Sequence, residues 1–267
     1  MIRAIATDID GTFLTTNRTY DHQLFNTVFQ LMQQRNVKFI VASGDQYYFL
    51  RSLFPAIANQ IAFVAENGVL TVDRGEEIAC GQLNRSVVAD IIADIDALPD
   101  TYYVVCGRQF AYVKETMPEK FKQGLHRFYT RTKVVKDFSF LNDKIFKFAL
   151  VVPPANMRTI AHDINTKFAG IIRATASGNG AIDLIIPEMD KSYGLKKLLD
   201  RWQISPADLV AFGDGENDLE MFDLAGTSYA MGNAPANVRA AASQTIGTND
   251  EQAVLHELEK LLAPDQQ

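Results

Sequence analysis

The sequence predicts an α/β protein in which a doubly wound, parallel-sheet core is interrupted by an inserted α+β unit. Three observations lead to this prediction. Short apolar runs alternate with amphipathic stretches at both ends of the chain, which is the βαβ pattern. These runs show little polar alternation, as expected for strands that are covered on both faces. The middle of the chain instead mixes hairpin and βαβ spacing, which is typical of a separate unit.

The first part of the chain alternates strands and helices. Strands are predicted over 2–7, 37–42 and 61–65, and helices over 21–35 and 47–54. The first helix is indicated by Leu24, Val28 and Met32, which share one stripe at helical spacing. Each strand is followed by polar or glycine residues, so the strand ends are the places to look for a site.

The middle of the chain is predicted to form the inserted unit, with edges near 82 and 188. Helices are predicted over 85–97, 117–130 and 156–169, and strands over 102–106, 110–114, 145–152, 171–175 and 181–186. Between the last two strands, residues 177–180 (Ser-Gly-Asn-Gly) have the composition of a hairpin turn.

The last part of the chain returns to the βαβ pattern. Helices are predicted over 192–202, 217–225, 235–242 and 251–262, and strands over 209–212, 228–231 and near 245. We therefore expect a core of residues 1–82 and 188–267 and an inserted unit of residues 83–187. Disorder is expected only at the end of the chain, over 264–267.

Composition and charge exclude several classes of function. The 267 residues include 26 Lys and Arg against 32 Asp and Glu, a formal net charge of -6. We expect no nucleic-acid or membrane-surface binding, because both need clustered cations. No apolar stretch approaches the length of about 18 residues that a membrane span needs. The early Asp8 argues against a signal peptide, and two cysteines are too few for a disulfide framework, so we expect a cytoplasmic protein.

Two carboxylates follow the first predicted strand, in the segment from Asp8 to Thr12. Residues i and i+2 of an extended segment point the same way, so Asp8 and Asp10 are expected to face one site. Such a pair repels itself unless a cation is present, and it suits a nucleophile with a neighbouring general acid. The alternative interpretation is an ordinary Asp-Gly turn.

A second acidic segment, Gly213 to Asp218, follows the strand predicted over 209–212. Asp214 is placed to join Asp8 around one ion, and ligands that are all oxygen favour Mg²⁺ over zinc. Capping of the next helix is an alternative explanation for Asn217 or Asp218, but not for the whole segment.

Two further segments carry groups that can bind an anion. Ser43 and Gly44 follow the second strand, where a hydroxyl and a main-chain N–H can bind a phosphate oxygen. Lys191 lies at the start of a predicted helix, where a cation opposes the helix dipole. The alternative for Lys191 is a solvated surface lysine.

In this order, the segments Asp8-x-Asp10-Gly-Thr, Ser43-Gly44, Lys191 and Gly213-Asp214-x-x-Asn217-Asp218 resemble the four motifs of the haloacid dehalogenase superfamily. The inserted unit resembles the large cap of its Cof-type, subclass IIB, phosphatases. The segments 41–48, 65–68, 182–187 and 230–234 are most similar to the bacterial sugar phosphatases of that subclass. The resemblance spans the whole chain and implies a Rossmann-like core with a type IIB cap at 83–187.

The resemblance also implies roles for the two carboxylates of the first segment. Asp8 is implied as the nucleophile that forms an aspartyl-phosphate. Asp10 is implied as the general acid that protonates the leaving alcohol and then as the base that activates water.

The remaining residues are implied as ligands. The Asp8 carboxylate, the Asp10 main-chain carbonyl and Asp214 are implied to hold Mg²⁺, with Asp218 in support. Phosphoryl oxygens are implied to contact Ser43, Gly44 and Lys191, with Asn217 close by.

We therefore expect a Mg²⁺-dependent phosphomonoester hydrolase of small phosphorylated metabolites, with hexose phosphates first, and no obligate protein partner is implied. One departure from the Cof-type pattern is Asp45, where many members have Arg or Lys. Alternatives left open are a phosphatase for a flavin, pyridoxal or nucleotide phosphate, a phosphomutase, and a phospho-sugar-binding protein without turnover.

Overall fold

The computed structural model describes residues 1–178 and 180–263, without the side chains of 176–178. They form two compact units. The first unit comprises Met1–Gly44, Phe54–Ala79 and the chain from Asp190, and the second comprises Asp45–Leu53 and Cys80–Met189. The predicted disorder at 264–267, and Asn179 of the predicted hairpin turn, lie outside the described residues.

Strands and helices are numbered here along the chain. The strands are β1 (Ala4–Thr7), β2 (Lys38–Ala42), β3 (Ala62–Ala65), β4 (Leu70–Asp73), β5 (Glu76–Cys80), β6 (Tyr102–Gly107), β7 (Ala111–Lys114), β8 (Thr132–Val135), β9 (Ile145–Val151), β10 (Arg173–Gly178), β11 (Ala181–Ile185), β12 (Leu209–Gly213), β13 (Thr227–Ala230) and β14 (Gln244–Thr245). The helices are α1 (His22–Gln34), α2 (Tyr47–Leu53), α3 (Arg85–Asp96), α4 (Glu119–Gly124), α5 (Met157–Lys167), α6 (Lys191–Trp202), α7 (Leu219–Leu224), α8 (Ala236–Ala241) and α9 (Ala253–Leu261).

The first unit is built on a sheet with the strand order β14-β13-β12-β1-β2-β3-β4-β5. The strands from β14 to β3 are parallel. Adjacent residues of a strand point to opposite faces. Ile40 of β2 therefore packs with Leu195 of α6, whereas the Phe39 ring lies 5.6 Å from Phe25 of α1. Helices cover both faces, so the prediction of an α/β fold with a doubly wound parallel sheet is confirmed.

The hairpin formed by β4 and β5 was not predicted. Its turn, Arg74-Gly75, has φ of 50° and 89°. Two consecutive positive φ values are what a type I′ hairpin turn requires, but the usual Asn-Gly or Asp-Gly pair is absent. The sequence therefore lacks the usual signal for this hairpin.

The second unit contains a sheet with the strand order β10-β11-β9-β6-β7-β8. All the pairs are antiparallel except β7 with β8. The helix predicted over 117–130 is wrong in extent, because α4 ends at Gly124 and a 3₁₀ turn follows over Leu125–Arg127. The parallel strand β8 was missed. A 3₁₀ turn and a short exposed strand leave little apolar periodicity to read.

Residues 45–53, including α2, group with the second unit, whereas the sequence-based division placed them in the core. The side-chain amide of Gln46 bonds both the main-chain N–H and the carbonyl of Arg131, at 3.0 Å each. The Tyr48 hydroxyl accepts a hydrogen bond from Arg108 at 2.9 Å. These contacts join positions more than 50 residues apart, so no local pattern could predict them.

Two simpler expectations concern cysteines and membranes. Cys80 and Cys106 are both thiols, as expected from their number and spacing. Within the ranges that the structure describes, no helix combines the length and apolar character needed to cross a bilayer.

Candidate active site

Three neighbouring strands of the first sheet end at the same edge. Asp8 follows β1, Ser43 follows β2 and Asp214 follows β12, and both β2 and β12 pair with β1 in parallel. The Asp8 amide donates to the carbonyl of Phe212 at 2.9 Å, which ties the loop after β1 to β12. The strand order reverses at β1, and this is the position where open α/β sheets bind ligands.

Lys191 is a buried member of this cluster. It is the first residue of α6, its side chain is 0% exposed, and Asp190 caps the helix through its carboxylate. The Lys191 Nζ lies 2.8 Å from Asp8 Oδ1 and 2.6 Å from Asp218 Oδ1. The alternative of a solvated surface lysine is therefore wrong.

Gly68 fixes the backbone from which Lys191 projects. Its φ is +102°, and a Cβ there would overlap the main-chain carbonyl of Asp190. The preceding residues Glu66 and Asn67 also have positive φ, of 54° and 59°. Such backbone conformations cost free energy and persist only where the surroundings fix them.

We expect Gly68→Ala to lower the free energy of unfolding by at least about 2 kcal/mol, because strain at φ and overlap with Asp190 add together. Urea denaturation measures the change. Gly75→Ala is the matched control, since Gly75 has φ +89° but its Cβ would meet only Asn59, at 3.7 Å. If Gly68→Ala and Gly75→Ala lose equal amounts of unfolding free energy, the close approach of Gly68 to the Asp190 carbonyl has no role in stability.

Asp218 organises the second acidic loop. Its Oδ2 accepts the main-chain N–H groups of Asp214 and Gly215, both at 2.9 Å, and its Oδ1 faces Lys191. Asp218 precedes α7, but its side chain makes no capping bond to that helix. Asp218 does accept the N-cap N–H of the preceding 3₁₀ turn, Glu216–Asp218, so capping accounts for its Oδ2, whereas its Oδ1 pairs with Lys191.

Asp214 is held by the loop after β1. The Thr12 hydroxyl donates to Asp214 Oδ1 at 2.6 Å. Gly11, with φ +76°, passes so close that a Cβ would overlap the Asp214 carboxylate. Burial raises the pKa of Asp214 to about 6, the Thr12 hydrogen bond opposes this rise, and the Asp218 carboxylate adds to it.

Asp8, Asp214 and Asp218 form a group whose carboxylate oxygens lie within 4.8 Å of one another. Burial raises the pKa of Asp8, Lys191 opposes the rise, and Asp218 and Asp214 add to it. Burial lowers the pKa of Lys191, but Asp218 and Asp8 outweigh this effect and raise it. One ammonium cannot neutralise three carboxylates, so the donor set and its charge fit a hard divalent cation.

We expect Gly11→Ala to weaken the binding of a divalent cation to these carboxylates by about tenfold or more, because the new Cβ displaces the Asp214 carboxylate. Calorimetric titration with Mg²⁺ measures the shift. Gly75→Ala again serves as the control, since it adds a similar backbone strain at a distance from the carboxylates. A titration curve for Gly11→Ala that coincides with that of the wild type would contradict this expectation.

Asn217 and Gly44 both lie next to Asn67, a residue that the sequence analysis did not identify as a site residue. The Asn217 Nδ2 donates to Asn67 Oδ1 at 3.2 Å, and a Cβ on Gly44 would lie 2.9 Å from the same oxygen. The main-chain N–H of Asn67 in turn donates to the main-chain carbonyl of Ser43 at 3.0 Å. Three predicted site residues thus converge on Asn67. In the sequence analysis, Asn67 appeared only within the segment 65–68, as part of the resemblance to the family.

Asp10 occupies a different environment from Asp8. Its side chain is 43% exposed and lies 3.2 Å from Arg18 Nη1, whereas that of Asp8 is 10% exposed. Asp10 is near enough to Asp214 to raise the pKa of that carboxyl. The structure thus separates the two carboxylates of the first motif into one buried and one solvated group.

The loop that carries Asp10 is anchored by two asparagines. Asn233 Nδ2 donates to the carbonyl of Gly11 at 2.8 Å, and Asn249 Nδ2 donates to that of Leu14 at 2.8 Å. The Asn249 amide also donates to Asn233 Oδ1 at 3.1 Å. Sequence reasoning missed Asn249, because one asparagine 235 residues from its partner carries no local signal.

The fold and the site define a class: an α/β protein with a carboxylate and lysine cluster at the topological switch point of a parallel sheet. The profile of the haloacid dehalogenase-like hydrolase family matches residues 5–258. The chain belongs to this family, so the predicted resemblance to the haloacid dehalogenase superfamily is confirmed. The closer similarity to its bacterial sugar phosphatases stays a prediction. It is an enzyme of the phosphatase type.

Two relatives and one solved structure illustrate the similarity. The chain is 38% identical to 5-amino-6-(5-phospho-D-ribitylamino)uracil phosphatase YbjI of Escherichia coli over 261 residues, covering 98% of this chain and 96% of that protein. It is 25% identical to 5-amino-6-(5-phospho-D-ribitylamino)uracil phosphatase YitU of Bacillus subtilis, covering 94% of each. The crystal structure of SMU.1108c from Streptococcus mutans superposes with a TM-score of 0.92 at 37% identity, covering 99% of this chain and 100% of that one.

Proposed function

We propose that this protein is a Mg²⁺-dependent phosphomonoesterase that acts on small phosphorylated metabolites through an aspartyl-phosphate on Asp8. The observation that carries the proposal is the Asp8–Lys191–Asp218 contact beside Asp214 at the ends of β1 and β12. It places one buried carboxylate where a cation and an ammonium group can compensate the charge of a phosphoryl group.

The residues that would hold Mg²⁺ are Asp8 and Asp214, together with the main-chain carbonyl of Asp10. Asp218 is the better candidate for a supporting role, because both of its oxygens already accept hydrogen bonds from the protein. When bound, Mg²⁺ would neutralise negative charge on the phosphoryl oxygens and on the Asp8 carboxylate.

Lys191 orients the nucleophile. Its ammonium contacts Asp8 Oδ1, so that Asp8 Oδ2 is the oxygen assigned to attack phosphorus in line with the leaving group. The bond between phosphorus and the ester oxygen breaks as the bond to Asp8 forms. The hydroxyl of Ser43 and the main-chain N–H of Gly44 are assigned to the phosphoryl oxygens.

Asp10 is assigned the proton transfers. It gives its proton to the departing alkoxide, and then takes a proton from the water that attacks phosphorus and releases phosphate from Asp8. Its exposure suits this role, because it reaches solvent while Arg18 holds its position. The solvated Asp10 and the buried Asp8 are thereby fitted to different tasks.

We propose 5-amino-6-(5-phospho-D-ribitylamino)uracil as the first substrate to test. The support is the name shared by the relatives from E. coli and B. subtilis, of which the first is 38% identical over nearly the whole chain. Hexose phosphates are the second candidate, on the motifs that resemble bacterial sugar phosphatases. Both substrates join a phosphate to a chain of hydroxyl-bearing carbons.

The test is phosphate release from a panel of ribityl, hexose, nucleotide, flavin and pyridoxal phosphates, with Mg²⁺ and with chelator. We expect release that requires Mg²⁺ and is fastest with the ribityl compound. If hexose phosphates release phosphate fastest, they replace the ribityl compound as the proposed substrate. A burst without continued release would indicate a phosphomutase, and release that is indifferent to chelator would contradict the proposed metal.

A further inference from the structure

The buried side chain of Asn67 lies between two loops of the first unit that carry candidate phosphate ligands. One loop contains Ser43 and Gly44, at the end of β2, and the other contains Asn217, after β12. Asn67 itself follows β3, which pairs with β2, and it is 7% exposed. It therefore occupies a place from which one residue can act on both loops.

The main chain of Asn67 fixes the direction of the Gly44 N–H. The Ser43 N–H donates to the carbonyl of Val64 at 2.9 Å, and the Ser43 carbonyl accepts from the Asn67 N–H at 3.0 Å. The carbonyl and the N–H of a planar trans peptide point in opposite directions. Because the Ser43 carbonyl points toward Asn67, the N–H of the same peptide, which belongs to Gly44, points away from Asn67. This N–H is the one assigned to a phosphoryl oxygen.

The side chain of Asn67 fixes which end of the Asn217 amide can meet an anion. Asn217 Nδ2 donates to Asn67 Oδ1 at 3.2 Å, whereas Asn217 Oδ1 lies toward Gly215, where an added Cβ would approach it to 2.5 Å. An amide nitrogen carries two hydrogens, and the bond to Asn67 uses one of them. A rotated Asn217 amide would place two oxygens together and would present its own oxygen to the anion.

A preference for backbone conformation does not account for these contacts. Asn67 has φ of 59° and ψ of 29°, in the left-handed region that asparagine tolerates better than most residues. Asn36 has φ of 54° and meets the same requirement before β2, but its side chain is exposed and accepts from Lys38 Nζ at 3.3 Å. The burial of Asn67 and its bond to Asn217 are additional to what the backbone requires.

We infer that Asn67 is a positioning residue for phosphate binding, which orients the Asn217 amide so that its nitrogen donates to a phosphoryl oxygen. Asn67 acts through Asn217, because Asn67 Oδ1 is an acceptor and cannot itself bind an anion. The inference rests on the proposed function, in which the neighbouring Ser43 and Gly44 contact the phosphoryl oxygens. It adds a third donor from a separate loop and names the residue that holds it.

The test measures the dissociation constant of inorganic phosphate in the presence of Mg²⁺, by ³¹P NMR titration. We expect Asn67→Gly to raise this constant about fivefold or more, because the Asn217 amide is no longer held. Glycine adopts positive φ readily, so the backbone at position 67 and its N–H should be retained. Asn36→Gly is the matched control, since it makes the same exchange at an exposed left-handed position, and we expect it to bind phosphate like the wild type.

A double-mutant cycle with Asn217→Ala shows whether Asn67 acts through Asn217. In the wild-type background, Asn217→Ala should raise the dissociation constant of phosphate about fivefold or more. In the Asn67→Gly background it should change the constant by less than about twofold, because the amide has already lost its orientation. Equal factors in the two backgrounds overturn the inference. So does an Asn67→Gly variant with a lower melting temperature but an unchanged dissociation constant, which indicates a structural role.

If Asn67→Gly does not fold, Asn67→Asp carries the test. Aspartate also tolerates positive φ and keeps an oxygen that can accept from Asn217. The factor caused by Asn217→Ala should therefore persist in Asn67→Asp, whatever the new charge does to the constant itself. Loss of that factor in Asn67→Asp overturns the inference.

Phosphate binding needs no turnover, so the cycle separates this inference from the proposed function. The expected cycle in a protein that hydrolyses no phosphate ester supports the role of Asn67, and in that case only the proposed reaction fails. A wild type that binds no phosphate overturns the inference.

Discussion

We expect Asp8→Asn to lower phosphatase activity by at least about 10⁴-fold, because an amide cannot serve as the nucleophile. The variant should remain folded. The substitution removes one of three carboxylates that lie within 4.8 Å of one another, and the Lys191 ammonium keeps Asp218 as its partner at 2.6 Å. Steady-state phosphate release and thermal denaturation measure the two effects.

Asp73→Asn is the matched control for the loss of a buried carboxylate. The Asp73 side chain is 1% exposed and lies 3.1 Å from Arg201 Nε, at the end of β4. We expect this variant to lose about 1–3 kcal/mol of stability while its activity stays within threefold of the wild type, roughly. Residual activity in Asp8→Asn as high as in Asp73→Asn would contradict the role of Asp8.

We expect Lys191→Met to lower kcat/KM by about 10³-fold and to destabilise the protein by about 3–5 kcal/mol. The ammonium is the cation that touches Asp8 and Asp218, and it is fully buried. Methionine has a similar length but no charge, so the two carboxylates would face each other without compensation. Steady-state kinetics measures kcat/KM, and urea denaturation measures the free energy of unfolding.

Two further variants separate the catalytic from the structural effect of Lys191. Lys197→Met removes an exposed lysine of the same helix, and we expect it to behave like the wild type. The double variant Lys191→Met with Asp218→Asn removes both charges of the buried pair, so it should recover stability but not activity. Recovery of both would show that Lys191 acts only through folding.

Sequence reasoning was sufficient to group the residues at the centre of the candidate site. Asp8, Ser43 and Asp214 each follow an apolar run, and parallel strands bring such ends to one edge of a sheet. Lys191 was harder to assign, because its position at a helix start is compatible with solvent exposure. Its burial depends on packing against residues from other parts of the chain.

The residues that support the site could not be predicted in the same way. Thr12 reaches Asp214 across 202 positions, and Asn67 reaches Asn217 across 150. Hydrogen bonds between single polar side chains leave no periodic trace in the sequence. The same reason explains why residues 45–53 were assigned to the core, since the contacts of Gln46 with Arg131 decide their place.

The aspartyl-phosphate on Asp8 is the central claim, and rapid acid quench during turnover of a ³²P-labelled phosphate ester tests it most directly. The expected result is a Mg²⁺-dependent label that hydroxylamine removes and that peptide mapping assigns to Asp8. The label should be absent from Asp8→Asn. With p-nitrophenyl phosphate, whose leaving group needs no general acid, it should accumulate in Asp10→Asn, which lacks the base for its hydrolysis. Active wild-type enzyme that carries no label, or a label on another residue, would contradict the account.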